Sequence, residues 1–340
     1  MTTAPSAIGN ASLAARYRAR HRFSVLVVLS TIALLAWGAF VTSIDAGLAV
    51  PDWPTSFNSY DLLNPIDNWW TVIPFRAEHG HRLLATVVGL LTIVLVGWTL
   101  VADERRWMRY LSAGALGLII FQGVLGGLRV IWISLDLAVV HACVAQIFFS
   151  TLVAITLFTS RAWFDLTVVR SAHPAASRLR GLAVFTAGSV YLQIILGALL
   201  RHPGTGIDVF LATTHMAWAF VVSGLIVVTA YHIRTHFRKQ KLLMSVSRIA
   251  VILLGVQFAL GLTAYLVNLD EAGYTLPSHL QVIVNTSHMV TGALLMAAVF
   301  CQLVVVLRGV EITKEPSPQR QNNQASDSKS LSHNAPVATV

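Results

Sequence analysis

An all-α integral membrane protein with eight transmembrane helices, arranged as two tandem four-helix bundles, is the fold class this sequence predicts. Three observations predict it. Of the 340 residues, 55% are hydrophobic and only 11% are charged, against about 25% charged in an ordinary soluble domain. Eight apolar runs each approach the roughly 20 residues needed to cross a bilayer. The pattern Gln-x-x-Leu-Gly recurs at Gln122, Gln193 and Gln257, in the third, fifth and seventh runs.

The runs cover roughly 23–43, 82–101, 111–131, 137–159, 181–200, 211–231, 247–267 and 281–307. The first follows Arg16, Arg18, Arg20 and Arg22, but it exceeds the roughly 7–15 residues of a signal-peptide core and has no clear cleavage site. It therefore reads as a membrane span. The longest polar connection, from Ile44 to His81, separates the first and second runs. The tail from about Glu315 is rich in Ser, Asn, Gln and Pro, and this composition predicts disorder.

Charge sets the expected orientation. With the N-terminus inside, 20 of the 24 Lys and Arg residues fall in inner segments, leaving only Arg76, Arg82, Arg129 and Arg201 outside. This bias is the positive-inside pattern, so the net charge of +9 marks membrane topology rather than a nucleic-acid partner. It predicts a multi-pass protein with both termini cytoplasmic, and the absence of a transit-peptide-like leader fits a bacterial inner membrane. The expected units are an N-terminal segment 1–22, a first half 23–160, a linker 161–180, a second half 181–308 and a tail 309–340.

Each Gln-x-x-Leu-Gly span is followed by a span with a histidine near its outer start: His141, His215 and His288. Trp37-Gly38, followed by His81, is a weaker counterpart. The repeated unit is a helical hairpin, and its two pairs make a parallel duplication. The pattern itself reads first as helix packing, with Gly123 and Gly127 as a GxxxG pair.

Four histidines at equivalent positions inside membrane spans point to function. Taken singly, each also fits an interhelical hydrogen bond. Two imidazoles from facing helices can hold one metal or haem, which pairs His81 with His141 and His215 with His288. Zinc or copper would ask for further ligands. Cys143 lies two residues from His141, off its helical face, and no carboxylate accompanies His215 or His288. Haem asks for two axial ligands and for cations near its propionates; Arg82, Arg129 and Arg201 are candidates, or else interface anchors. Only the first pair has an acid one helical turn away, in Glu78-x-x-His81. That asymmetry suggests chemistry at the first site and electron transfer at the second, although Glu78 could equally bridge to Arg76 or Arg82.

Glu78-x-x-His81-Arg82, the loop Gly47-Leu-Ala-Val-Pro-Asp-Trp-Pro54, Gly126-Gly127-Leu128-Arg129 with His141, and the later His215 and His288 together resemble the haem A synthase family over roughly residues 25–308. The resemblance implies an enzyme that oxidises a methyl group of haem O to the formyl group of haem A, by successive hydroxylations and loss of water. It implies that His81 and His141 take the substrate haem and that Glu78 acts beside them as acid/base or by stabilising positive charge. It further implies that His215 and His288 hold a haem b cofactor, and that a haem O synthase is a partner. Many bacterial members carry a cysteine pair in the first outer loop, where this chain has Val50 and Thr55-Ser56-Phe57. Two other classes fit the same ligands: a dihaem b-type electron-transfer protein, and a non-catalytic haem-binding oxidase assembly factor.

Overall fold

The computed structural model describes residues 7–171, 174–201, 208–268 and 277–312. Among them, eight helices are long and apolar enough to cross a membrane, so this is a multi-pass membrane protein. The first half contains α1 (Ala7–Ser43), α2 (Ile73–Ala102), α3 (Arg106–Ile131) and α4 (Leu135–Phe158). A four-residue turn, α5 (Arg161–Phe164), and a strand, β1 (Val169–Ser171), lead into the second half. This is built from α6 (Pro174–Arg201), α7 (Val209–His236), α8 (Lys241–Asn268) and α9 (His279–Gly309), and ends in β2 (Val310–Ile312).

Local chemistry fixes several helix starts. Pro74 lies in the first turn of α2, where a missing N–H costs nothing. Ser134 caps α4 by accepting from Leu137 N, and Asp208 caps α7 by accepting from Leu211 N. Ser278 and Gln281 form a capping box at α9.

Helices α1 to α4 touch in sequence and close through α1 against α4, while α6 to α9 close the same way through α6 against α9. Each half is therefore a complete four-helix ring. The halves meet through α1 with α9, α4 with α6, and α4 with α9. Exchanging the halves turns the first of these contacts into the second and leaves the third unchanged, as a two-fold axis between parallel repeats requires. Phe149 of α4 is fully buried there against Ala293 and Ala297 of α9.

The helices begin earlier than hydropathy indicates. Helix α2 starts at Ile73 rather than near 82, so Glu78, His79 and His81 lie within its first turns instead of ahead of it. These polar residues are helical because a loop, described below, satisfies them. Helix α1 likewise begins at Ala7. The fold also contains a short parallel strand pair, β1 with β2 in the register Val169–Val310, Arg170–Glu311 and Ser171–Ile312. Residues 310–312, expected to open a disordered tail, are thus ordered in a strand. The remainder of that tail, and His173, His202 and His333, lie outside the described residues.

Arg180 secures this clasp by donating to Val310 O from Nε (3.1 Å) and Nη2 (2.6 Å). Gln240 Nε2 donates to Thr167 O (2.8 Å) and lies 3.4 Å from Gly309 O. At the same end of the first half, Arg20 and Asp103 form a 2.7 Å ion pair with both side chains 1% exposed. Arg105 shares that carboxylate at 2.7 Å and also donates to Phe158 O at 3.1 Å.

Candidate functional site

Both histidine pairs lie at the end of the bundle away from the strand clasp. In each ring the two histidine helices occupy one diagonal: α2 and α4 for His81 and His141, α7 and α9 for His215 and His288. The His215 and His288 ring centres are 6.5 Å apart, with planes at 71°. Two metal–nitrogen bonds of about 2.0 Å, plus roughly 1 Å from each nitrogen to its ring centre, span about 6 Å. One ion therefore fits between these imidazoles. Among the described residues, no three or more of His, Cys, Asp and Glu cluster as a metal site. The pair suits an iron that brings its own equatorial ligands.

Each imidazole rests against a glycine of the preceding helix. A Cβ placed at Gly38 would come within 2.9 Å of His81 Cε1, and one at Gly126 within 3.3 Å of His141 Cε1. At Gly197 and Gly261 the corresponding approach to His215 and His288 is 3.0 Å. The repeated glycine is thus a cradle for a ring. Gly123 and Gly127 do not form the expected helix-packing pair: nothing lies within 4 Å of a Cβ at Gly123, while one at Gly127 would strike the Trp53 indole.

The repeated glutamine reaches the same ring or its backbone. Gln122 Nε2 donates to His141 O (2.9 Å), and Gln193 Nε2 donates to His215 O (3.0 Å) while lying 3.2 Å from its Nε2. Gln257 Nε2 lies 3.2 Å from His288 Nε2. The Nδ1 atoms of His81, His215 and His288 are buried without a hydrogen-bond partner. A buried unsatisfied nitrogen costs about 1–3 kcal/mol, which a ligand at the site offsets. The ring cradles, these nitrogens and the 6.5 Å separation all fit haem.

The first site has a cover, which is the segment 44–72 joining α1 to α2. Glu78 is buried, accepting from Val50 N through Oε2 (2.8 Å) and from Arg82 Nη2 through Oε1 (2.9 Å). The Arg82 guanidinium also donates to Val50 O (3.0 Å), Asp52 O (2.7 Å) and Thr55 O (3.0 Å). Arg129 Nη2 donates to Gly47 O (2.7 Å). Ser56 and Ser59 exchange backbone hydrogen bonds at 3.0 Å around Phe57 and Asn58, which have φ of 54° and 61°. Such a turn needs positive φ at both central positions, and Asp52 holds this one by accepting from Phe57 N (2.7 Å), Asn58 N (2.8 Å) and the Thr55 hydroxyl. Burial raises the Asp52 pKa, but these hydrogen bonds and the Arg82 charge outweigh it and hold the carboxyl below its usual range.

Comparison with known proteins identifies the family. Residues 21–216 match the COX15-CtaA model, described as cytochrome oxidase assembly protein. The chain belongs to the COX15-CtaA family. Relatives named heme A synthase include those of Shouchella clausii, 27% identical over 74% of this chain and 88% of the relative, and Exiguobacterium sibiricum, 31% identical over 54% and 59%. The relative from Symbiobacterium thermophilum is 31% identical over 53% of this chain and 59% of its own length. The chain spans about three fifths of the length of two of these three relatives.

Within this COX15-CtaA chain, the expected site residues fall into two groups. Glu78, His81, Arg82, His141 and Arg129 belong to the covered first half, and His215, His288 and Arg201 to the second. Arg82 and Arg129 are within electrostatic reach of His81, and Arg201 is within reach of His288. Their guanidiniums bond to the covering loop and, for Arg201, to Ser43 Oγ (2.6 Å). His79 is buried within α2. Its Nδ1 lies 3.1 Å from Ser56 Oγ and its Nε2 2.9 Å from Leu62 O, with Trp69 packed edge-on to the ring. Its place between Glu78 and His81 was the available signal. Hydrogen bonds to Asp52, His79 and Arg82 fasten this loop.

Proposed function

We propose that this chain is a haem A synthase, oxidising a methyl group of haem O to a formyl group. His81 and His141 would hold the iron of the substrate, and His215 and His288 that of a resident haem b. When bound, haem b would supply one-electron transfer. The protein's own contribution is positional. Gly38 and Gly126 let the imidazoles approach the helix backbones, while Arg82 and Arg129 offer cations close to His81 for propionate carboxylates. Glu78 sits one turn before His81 on α2, shielded from water beneath the loop, where it can accept or return a proton or stabilise positive charge at the reacting carbon.

The observation that carries the reading is this asymmetry. Two histidine pairs are built alike, and the first has a buried carboxylate and a fastened cover. By the positive-inside bias, the histidine-bearing end faces outward and the clasp end faces the cytoplasm of a bacterial inner membrane. A haem O synthase would deliver the farnesylated substrate, and terminal oxidases would take the product.

The Glu78–Arg82 ion pair also fits a second reading, in which Glu78 only fastens the loop of a dihaem electron carrier or assembly factor. Haems extracted from purified wild type and Glu78→Ala, produced in cells that supply haem O, decide between them. The expected outcome is haem A in wild type, with haem O or a hydroxylated intermediate accumulating in the variant. Haem B alone in both, at full occupancy, would establish the electron carrier or assembly role instead.

A further inference from the structure

Part of the covering loop lies along the side of the bundle. His79 Nε2 donates to Leu62 O (2.9 Å), its Nδ1 lies 3.1 Å from Ser56 Oγ, and Trp69 packs edge-on to its ring. On α2, His79 precedes Thr86 by seven residues and Leu90 by eleven. These spacings are about two and three full turns of an α-helix, so the three residues share one face. Thr86 and Leu90 are exposed, and in a spanning helix an exposed face meets lipid. The residues that cover His79 therefore stand between α2 and the bilayer.

Their depth follows from the helix rise. The continuous apolar run of α2 begins at Leu83. His79 is four residues closer to the histidine-bearing end, about 6 Å at 1.5 Å per residue. A bilayer of about 40–45 Å around a core of about 30 Å leaves roughly 5–7 Å of headgroup on each side. Leu62, bonded to His79 through its carbonyl, is thus level with the headgroups.

At this level the loop turns apolar side chains outward. Leu62 is 55% and Leu63 70% exposed, and Tyr60, Trp70, Val72 and Ile73 are exposed with them. Trp69 Nε1 donates to Leu63 O (2.8 Å) and Trp69 packs against Trp70, which gathers these side chains into one patch. Asp61 turns its carboxylate inward, accepting from Leu63 N (2.9 Å) and Asn64 N (3.0 Å). Contiguous apolar surface of this kind marks an interaction site, and tryptophan and tyrosine beside leucine suit the membrane–water boundary.

We propose that residues 60–73 form an interfacial collar, with Tyr60, Leu62, Leu63, Trp70, Val72 and Ile73 seated among the lipid headgroups at the histidine-bearing end. The partner of this surface is the phospholipid bilayer, because the patch continues the lipid-facing stripe of α2. The loop is then held from within by Arg82 and from outside by lipid. The proposal holds whichever reaction the first site performs.

Leu62→Cys and Leu63→Cys, each labelled with bimane in the full-length protein, test this in phosphatidylcholine–phosphatidylglycerol nanodiscs. Both native cysteines are buried. A label at Leu90→Cys reports the lipid face of α2, and the bimane adduct of glutathione reports water. The expected result at position 62, 63 or both is blue-shifted emission, with quenching by nitroxide-headgroup lipids at least about twofold above the glutathione adduct. Water-like emission at both positions overturns the proposal. Blue-shifted emission without lipid quenching also overturns it, and would assign the patch to a protein partner or a second copy of the chain.

Discussion

A single missing β-carbon decides whether each imidazole can stand where it does. Gly197→Val would drive a branched side chain into His215, and overpacking of this kind costs about 1–3 kcal/mol. The expected outcome is a tenfold or greater loss of haem from the proposed second site, counted as haem per protein in a His81→Ala background that empties the proposed first site. Asp52 gives a prediction in pH. Its carboxyl titrates below the usual Asp value of about 3.9, so the stability it lends the loop is present above that value and is lost as pH falls through the folded one. Hydrogen exchange at residues 47–59 should therefore show constant protection from neutral pH down to about 4, then a decline that Asp52→Asn abolishes. The positions of the four histidines were legible in the sequence because a repeat makes them equivalent, but the glycines read as helix packing rather than as cradles for the rings. The place of His79 was not legible, since its partners Ser56 and Leu62 are 23 and 17 residues away along the chain.

The covering loop shows how an element can be held by charged side chains reading its backbone. Arg82 gathers carbonyls of Val50, Asp52 and Thr55 with one planar fork, a geometry that a lysine ammonium cannot reproduce. Arg82→Lys is expected to release the loop, seen as at least tenfold faster proteolytic nicking between 44 and 72, with haem at the proposed second site unaffected. The start of α2 was misplaced from sequence for the same reason. Hydropathy sees Glu78, His79 and His81 as polar and begins the span after them. In the fold the loop supplies partners for Glu78 and His79, so the helix continues outward beneath it.

At the scale of the whole molecule, eight spans and a parallel duplication follow from hydropathy and the glutamine–glycine repeat. The contacts between the halves do not, because apolar residues such as Phe149, Ala293 and Ala297, which meet there, look in the sequence like lipid-facing ones. The buried Arg20–Asp103 pair was equally hidden, its partners being 83 residues apart. Asp103 ties α1, α3 and, through Arg105, α4 at one end of the first half. Breaking a buried pair leaves a charge uncompensated, at about 3–5 kcal/mol, so Asp103→Ala should lower the thermal unfolding midpoint in detergent well below that of a surface control such as Glu104→Ala. The strand clasp has a consequence in time. Ribosomes deliver β1 before four membrane helices and β2 after them, so the pairing cannot form until residue 312 has emerged. Until then Arg180 lacks its carbonyl acceptor on Val310, and Gln240 lacks Gly309. The clasp therefore closes only after the last helix has been made, so it is among the last contacts of the fold to form.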